Sequence, residues 1–243
     1  MTDDDGTTGT TYIDFGTPNT SVMSDVADIV WIDSINRGGW WTNYVTGWRW
    51  TGSETEYALT KLWGLTDTGS SCISGPSATI DAIRAEAESR IQGWHINDSG
   101  WGKLFGCGER SNMPSFDILF GDYWMTVLAS DYIVPVNDYG TCGICLTGGD
   151  DGYWLLGDAF MRSWYNIHDH ANGRMGFVPF AGSPKSKAQL ATETPTQPAP
   201  GDTVVVPNSS ALNAYDIVTI SSACVIFLGS CIAWICIKTM ALS

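Results

Sequence analysis

The segment Leu65-Thr66-Asp67-Thr68-Gly69-Ser70-Ser71-Cys72-Ile73-Ser74-Gly75-Pro76 sets one carboxyl group among hydroxyls in a short polar loop. Gly69 permits a tight turn, which brings backbone N–H groups and hydroxyls within reach of the Asp67 carboxylate. Donors of that kind stabilise the charge and aim it. An isolated Asp-Thr-Gly triplet is a turn signal; here it follows an apolar, strand-like approach and precedes a helix start. Ser70 and Ser71 read as supporting donors rather than nucleophiles, because no His base stands at a recognisable spacing. Nothing in the pattern calls for a cofactor.

The elements that must position this loop are mainly β. Asp28–Asp33 and Trp40–Thr46 are short β-branched and aromatic runs bounded by Gly and Asn, the composition of strands. Phe116–Phe120 alternates, and Gly121-Asp122 offers a hairpin turn before Tyr123–Val127. One helix is clear: Ser77 is placed to cap a segment reaching about Gln92, with Ile80, Ile83, Ala87 and Ile91 on one stripe. The expected fold class is mainly β with one or two short helices.

Charge and composition divide the chain. Of its 243 residues 44% are hydrophobic and 12% aromatic, too apolar for a disordered polymer. Residues 1–182 hold 23 acidic and 9 basic groups and so carry the whole net charge of −14. A surface of that sign repels a phosphate backbone, so nucleic acid is excluded as a partner. Residues 183–213 form a Pro/Thr/Ser-rich stretch, expected to be an extended tether. Residues 214–238 contain the uncharged run Ile217–Ile237. As a helix, that run spans about 30 Å of hydrocarbon, the length of a transmembrane segment. Tyr215 suits an interfacial ring, and Lys238 favours a cytosolic tail at 239–243, with the body lumenal or extracellular. The first residues, Met1-Thr2-Asp3-Asp4-Asp5, are not a signal peptide, so the expectation is a piece of a longer precursor or a tail-anchored chain. Cys72, Cys107, Cys142 and Cys145 lie in the body; they suffice for two disulfides in an oxidising compartment, or stand as four reduced thiols. Asn19, Asn97 and Asn208 head sequons and are glycosylation candidates.

Taken together, the loop and the segments downstream of it resemble the C-terminal lobe of pepsin-like aspartic proteases. The residues that carry the resemblance are the Asp67-Thr68-Gly69 loop and its helix, then Cys107 ahead of Met113-Pro114 and the alternating hairpin. Tyr139-Gly140-Thr141-Cys142, the run Trp154–Asp169 and Asn172-Gly173-Arg174-Met175-Gly176-Phe177-Val178-Pro179 come next, in the family's order. The match covers most of residues 12–181. It implies a single lobe over residues 1–182, with Tyr12–Gly16 as its opening strand. It implies that Asp67 is one of two catalytic aspartates, supported by Thr68, Gly69 and Ser70, and that the substrate is a peptide. It also implies a Cys107–Cys142 disulfide; Cys72 and Cys145 have no counterpart and are a possible second pair. Asp158 falls in a loop that is structural in the family, and His168 and His170 fall in a strand-and-turn segment, where surface or packing roles are expected rather than metal binding.

Family chemistry needs two carboxylates sharing a proton and a water, and this chain shows one Asp-Thr-Gly triplet and no flap tyrosine. The expected partner is therefore the missing N-terminal lobe, from the same precursor or a separate chain. The alternative is that the chain is a catalytically inactive single lobe that serves other subunits of a membrane complex, with Trp40, Trp41, Trp48 and Trp50 available to bury a partner.

Overall fold

The structure, a computed structural model, describes residues 13–35, 39–98, 100–149, 152–162, 164–185 and 187–198. The proposed membrane segment, the short tail and Asn208 lie outside the described residues. No helix among the described residues is long and apolar enough to cross a membrane.

The chain is mainly β, consistent with a single lobe. The first half contributes β1 (Val30–Asp33), β2 (Thr42–Trp50), β3 (Tyr57–Thr66), β4 (Ile73–Pro76), α1 (Ser77–Ser89), β5 (His95–Asp98) and β6 (Gly102–Gly106). Then come β7 (Phe116–Phe120), β8 (Tyr123–Val127), α2 (Ala129–Tyr132), β9 (Ile133–Pro135), β10 (Thr141–Ile144), β11 (Leu146–Gly149) and β12 (Tyr153–Leu156). The last are α3 (Asp158–Met161), β13 (Trp164–Asp169), β14 (Arg174–Pro179), β15 (Gln189–Leu190) and β16 (Gln197–Pro198). Thus, among the described residues, one α-helix spans 13 residues and two others a single turn.

These strands form a nine-stranded sheet in the order β11-β4-β12-β3-β2-β7-β8-β15, with β16 joined to β3, a four-stranded sheet β5-β6-β10-β9 and a three-stranded sheet β1-β14-β13. In the large sheet β12 runs parallel to β3, with Leu156 opposite Thr66, and antiparallel to β4. That crossing, far apart in sequence, is what the Asp67 loop rests on. The core joins the layers through aromatic edges: Phe120 of β7, Phe160 of α3 and Phe177 of β14 meet pairwise in edge-to-face contacts at 5.9, 6.1 and 6.2 Å, the geometry ring quadrupoles prefer.

Local expectations held in part. The Phe116–Val127 hairpin turns at Gly121, whose φ of +60° needs glycine. The stripe of α1 buries Thr79, Ile80, Ile83 and Ala87. Its cap differs, however: Pro76 occupies the N-cap position and Ser77 is the first helical residue. The strand expected from Asp28 starts at Val30, because Asp25 caps a 3₁₀ turn over Val26–Asp28 by accepting from the Ala27 N–H at 2.8 Å. The opening-strand expectation also differs: residues 13–16 form no strand, and Ile13 and Phe15 are exposed.

Residues 183–185 and 187–198, expected from their composition to be part of a tether, lie on the lobe instead. Lys185 is fully buried against Asp131, with Nζ 2.9 Å from Oδ2. Beyond it, β15 pairs with the edge of β8 at Tyr123 and Trp124, and β16 pairs with the start of β3. Pro195 seats over Gly47, where a Cβ would come within 2.9 Å of the proline ring. Arg49, stacked over Trp124 and bonded to Asp117 and Glu56, adds Gln189 at 3.1 Å. A proline needs no N–H partner, so a Pro-rich segment packs well wherever a flat apolar surface is waiting.

Candidate active site

The Asp67 loop is built from its flanks inward. At the end of β3, Thr66 donates both its N–H and its hydroxyl to the Trp41 carbonyl, at 3.1 and 3.2 Å. Asp67 N–H donates to Leu156 O at 3.1 Å, extending the parallel β3–β12 pairing by one step. The chain then turns back, with Ser70 N–H donating to Asp67 O at 3.2 Å. The side chain is held by its own loop: Oδ1 accepts from Gly69 N–H at 2.9 Å and Oδ2 from the Ser70 hydroxyl at 2.8 Å. Each carboxylate oxygen has a second acceptor direction. Asp67 is half-buried, and Thr68 and Gly69 are exposed beside it.

The other side of the loop is braced by α3 and a disulfide. Asp158 N–H donates to Ser70 O at 2.7 Å and Ala159 N–H to Ser71 O at 2.9 Å. Such close backbone approach requires Gly157, where a Cβ would fall 2.4 Å from Ser70 O and 2.5 Å from Cys72 O. Cys72 ends the loop in a disulfide to Cys145, and Ile73 N–H donates to Cys145 O at 3.2 Å. The second pair is therefore formed, and so is Cys107–Cys142, neither of whose cysteines belongs to this loop.

Other candidates engage partners of their own. The Asp158 carboxylate pairs with Arg162 at 3.0 Å. His168 stacks on Trp41, with ring centroids 4.9 Å apart. Among the described residues no three His, Cys, Asp or Glu side chains gather as a metal site. Trp48 is fully buried, Trp41 and Trp50 are half-buried, and Trp40 is exposed. Asn97 is exposed on β5, whereas Asn19 is half-buried and caps a turn by accepting from Ser21 N–H and the Ser21 hydroxyl at 3.2 and 2.7 Å.

A second triplet of the same kind, Asp98-Ser99-Gly100, stands outside the candidates drawn from the sequence. Asp98 closes the β5–β6 hairpin, and its Oδ1 accepts from Gly100 N–H and Trp101 N–H at 2.8 and 2.9 Å. The Trp101 and then the Gly100 N–H hold its carboxyl below the usual carboxylate range. Its sequence signal is the same Asp-hydroxyl-Gly spacing; what distinguishes the two triplets is the surrounding scaffold, of which the apolar approach and following helix of Asp67 are the part visible in residue order.

A family model described as eukaryotic aspartyl protease matches residues 2–180. Gastricsin of Cavia porcellus is 26% identical over 159 residues, 63% of this chain and 38% of that protein. Gastricsin of Homo sapiens is 30% identical over 122 residues (48% and 30%), and cathepsin E of Mus musculus is 30% identical over 123 residues (47% and 29%). The chain thus spans no more than about two fifths of the length of these relatives. With the match covering the loop, its corner and the strands that carry them, the chain belongs to the eukaryotic aspartyl protease family.

Proposed function

We propose that residues 1–182 are the C-terminal lobe of an aspartic endopeptidase and that Asp67 is one of its two catalytic carboxylates. The observation that carries this reading is the Asp67 loop itself. Its carboxylate is oriented by Gly69 and Ser70 and backed by the β3–β12 crossing and Gly157, in a chain of this family. A second carboxylate facing Asp67 from an N-terminal lobe would share a proton with it, because two like charges at contact distance do not both ionise. The ionised member takes a proton from the attacking water, and the protonated member gives one to the scissile carbonyl oxygen. The substrate is a peptide, with bulky apolar residues flanking the cleaved bond. In the same reading residues 214–238 anchor the lobe in a bilayer with 239–243 cytosolic. The body then stands on the lumenal or extracellular side, where the sequons at Asn19, Asn97 and Asn208 are the glycosylation candidates.

The test is cleavage of an apolar peptide at mildly acidic pH by the chain together with its N-terminal lobe. A pepstatin-like inhibitor should block it, and Asp67→Ala should lower kcat/KM by about 10³-fold or more. Inhibitor-insensitive cleavage, or none, favours the second reading, a non-hydrolytic lobe in a membrane complex. What supports that second reading is the exposed Trp40 beside the half-buried Trp41.

A further inference from the structure

Lys185 lies beyond the stretch matched by the family model, yet its side chain is 0% exposed and pairs with Asp131, 1% exposed, at 2.9 Å. A buried ammonium needs partners for all its donors. Its Nζ also donates to Arg162 O at 2.6 Å and lies over the Trp164 ring, 5.0 Å from the centroid. Burial pushes the Lys185 ammonium down to about 8, and burial likewise raises the Asp131 carboxyl, so the pair sits in a dry site.

Each partner of Lys185 leads to one support of the Asp67 loop. Arg162 O closes α3, a single turn whose opposite end gives the Asp158 and Ala159 N–H groups to Ser70 O and Ser71 O. Arg162 itself reaches Asp158 at 3.0 Å and Ser130 O at 3.5 Å. Asp131 belongs to α2, where its Oδ2 also accepts from Leu128 N–H at 2.9 Å. The next residue, Tyr132, accepts at its carbonyl from Cys145 N–H at 2.7 Å, and Cys145 is bonded to Cys72 at the loop's end. One ammonium therefore bridges α3, whose first amides hold Ser70 and Ser71, and α2, whose last carbonyl holds Cys145, the disulfide partner of Cys72.

We infer that Lys185 is a positioning residue for the Asp67 loop, tying together the two short helices that brace it. The inference rests on the assignment of Asp67 above. In consequence, the segment just after the family-matched lobe is part of the site's support.

Amide hydrogen exchange on the full chain tests this without requiring hydrolysis. Lys185→Met alone leaves the buried Asp131 carboxylate without its ammonium counter-charge and risks unfolding the lobe. The informative variant is therefore Asp131→Leu with Lys185→Met, which removes both charges and keeps the site apolar. The expected result is exchange at the Asp158 and Ala159 amides about tenfold faster than in the native chain, with Ile118 in the large sheet unchanged. Gln189→Ala, which loosens residues 187–198 without touching Lys185, should leave Asp158 and Ala159 at their native rates. The inference is overturned if Asp158 and Ala159 keep native rates in the double variant, if they accelerate only in step with Ile118, or if Gln189→Ala has the same effect. Loss of the catalytic reading would show instead as unchanged cleavage in Asp67→Ala, whatever the exchange rates.

Discussion

The chain carries two triplets of nearly the same chemistry, and the fold treats them differently. In both, an aspartate oxygen accepts from the glycine N–H two residues on, at 2.9 Å for Asp67 and 2.8 Å for Asp98. Asp98 ends there: its donors belong to a two-strand turn at the edge of the four-stranded sheet. Asp67 sits where two parallel strands, an antiparallel third, a helical turn and a disulfide converge. The local motif supplies an oriented carboxylate in either case. Holding it to the fraction of an ångström that proton transfer requires is the work of the supports.

The sharpest contrast is catalytic. In an assay that supplies the second lobe, Asp98→Ala should leave kcat/KM within about twofold of the native value, against the loss of about 10³-fold or more expected for Asp67→Ala. Comparable losses in the two would mean that the supports do not matter.

Next in size is the disulfide at the loop's end. Cys72 and Cys145 are 73 residues apart and Cys107 and Cys142 are 35 apart. Loop-closure entropy therefore assigns each bond about 4 kcal/mol. Paired Cys→Ser replacement, with denaturant unfolding as the readout, should show similar destabilisation for both. The activity of surviving folded protein should fall only for Cys72/Cys145, because only that bond touches the Asp67 loop.

The Lys185 brace gives a pH signature that the hairpin turn lacks. The folded-state value of about 8 lies below the ordinary 10.5, so folding disfavours the extra proton. Stability from this group is complete above pH 10.5 and is lost as pH falls through about 8. The native chain should therefore gain on the order of 3 kcal/mol relative to the Asp131→Leu, Lys185→Met variant as pH rises across that window. A difference between the two that is flat with pH would place the ammonium in water.

What could be read from residue order was what is local. The Phe116–Val127 alternation and the α1 stripe are periodic over a few residues; the hairpin formed where expected, and the helix formed with its stripe but ends at Ser89, short of Gln92 and Ile91. The β3–β12 crossing joins segments about ninety residues apart, and no periodicity encodes such a pairing; the resemblance marked the run Trp154–Asp169 without pairing it to the strand before Asp67. Residues 183–185 and 187–198 misled for a physical reason. Composition scores a Pro- and Thr-rich stretch by its own poverty in apolar groups, whereas its packing is decided by the flat surface at Gly47 and Trp124 and by the Asp131 charge. Lys185 in particular is a residue type almost never fully buried unless paired, and its partner lies in α2, some fifty residues earlier.

Glycine substitution makes the smallest but most local comparison. At Gly157 an added methyl meets the backbone carbonyls of Ser70 and Cys72 at 2.4 and 2.5 Å, and main-chain atoms cannot rotate aside as a side chain would. The strand, the helical turn or the loop must move, so Gly157→Ala should cost roughly 1–3 kcal/mol. It should also displace the Asp158 and Ala159 amides in an NMR spectrum. At Gly100 the nearest atom is the Asp98 Oδ1 at 3.4 Å, an ordinary contact at the tip of an exposed turn. Gly100→Ala should stay within about 0.5 kcal/mol of the native chain. If instead Gly157→Ala were as mild as Gly100→Ala, the corner beneath Asp67 would be pliable, and the rigidity that sets the two triplets apart would have to come from β3 and the disulfide alone.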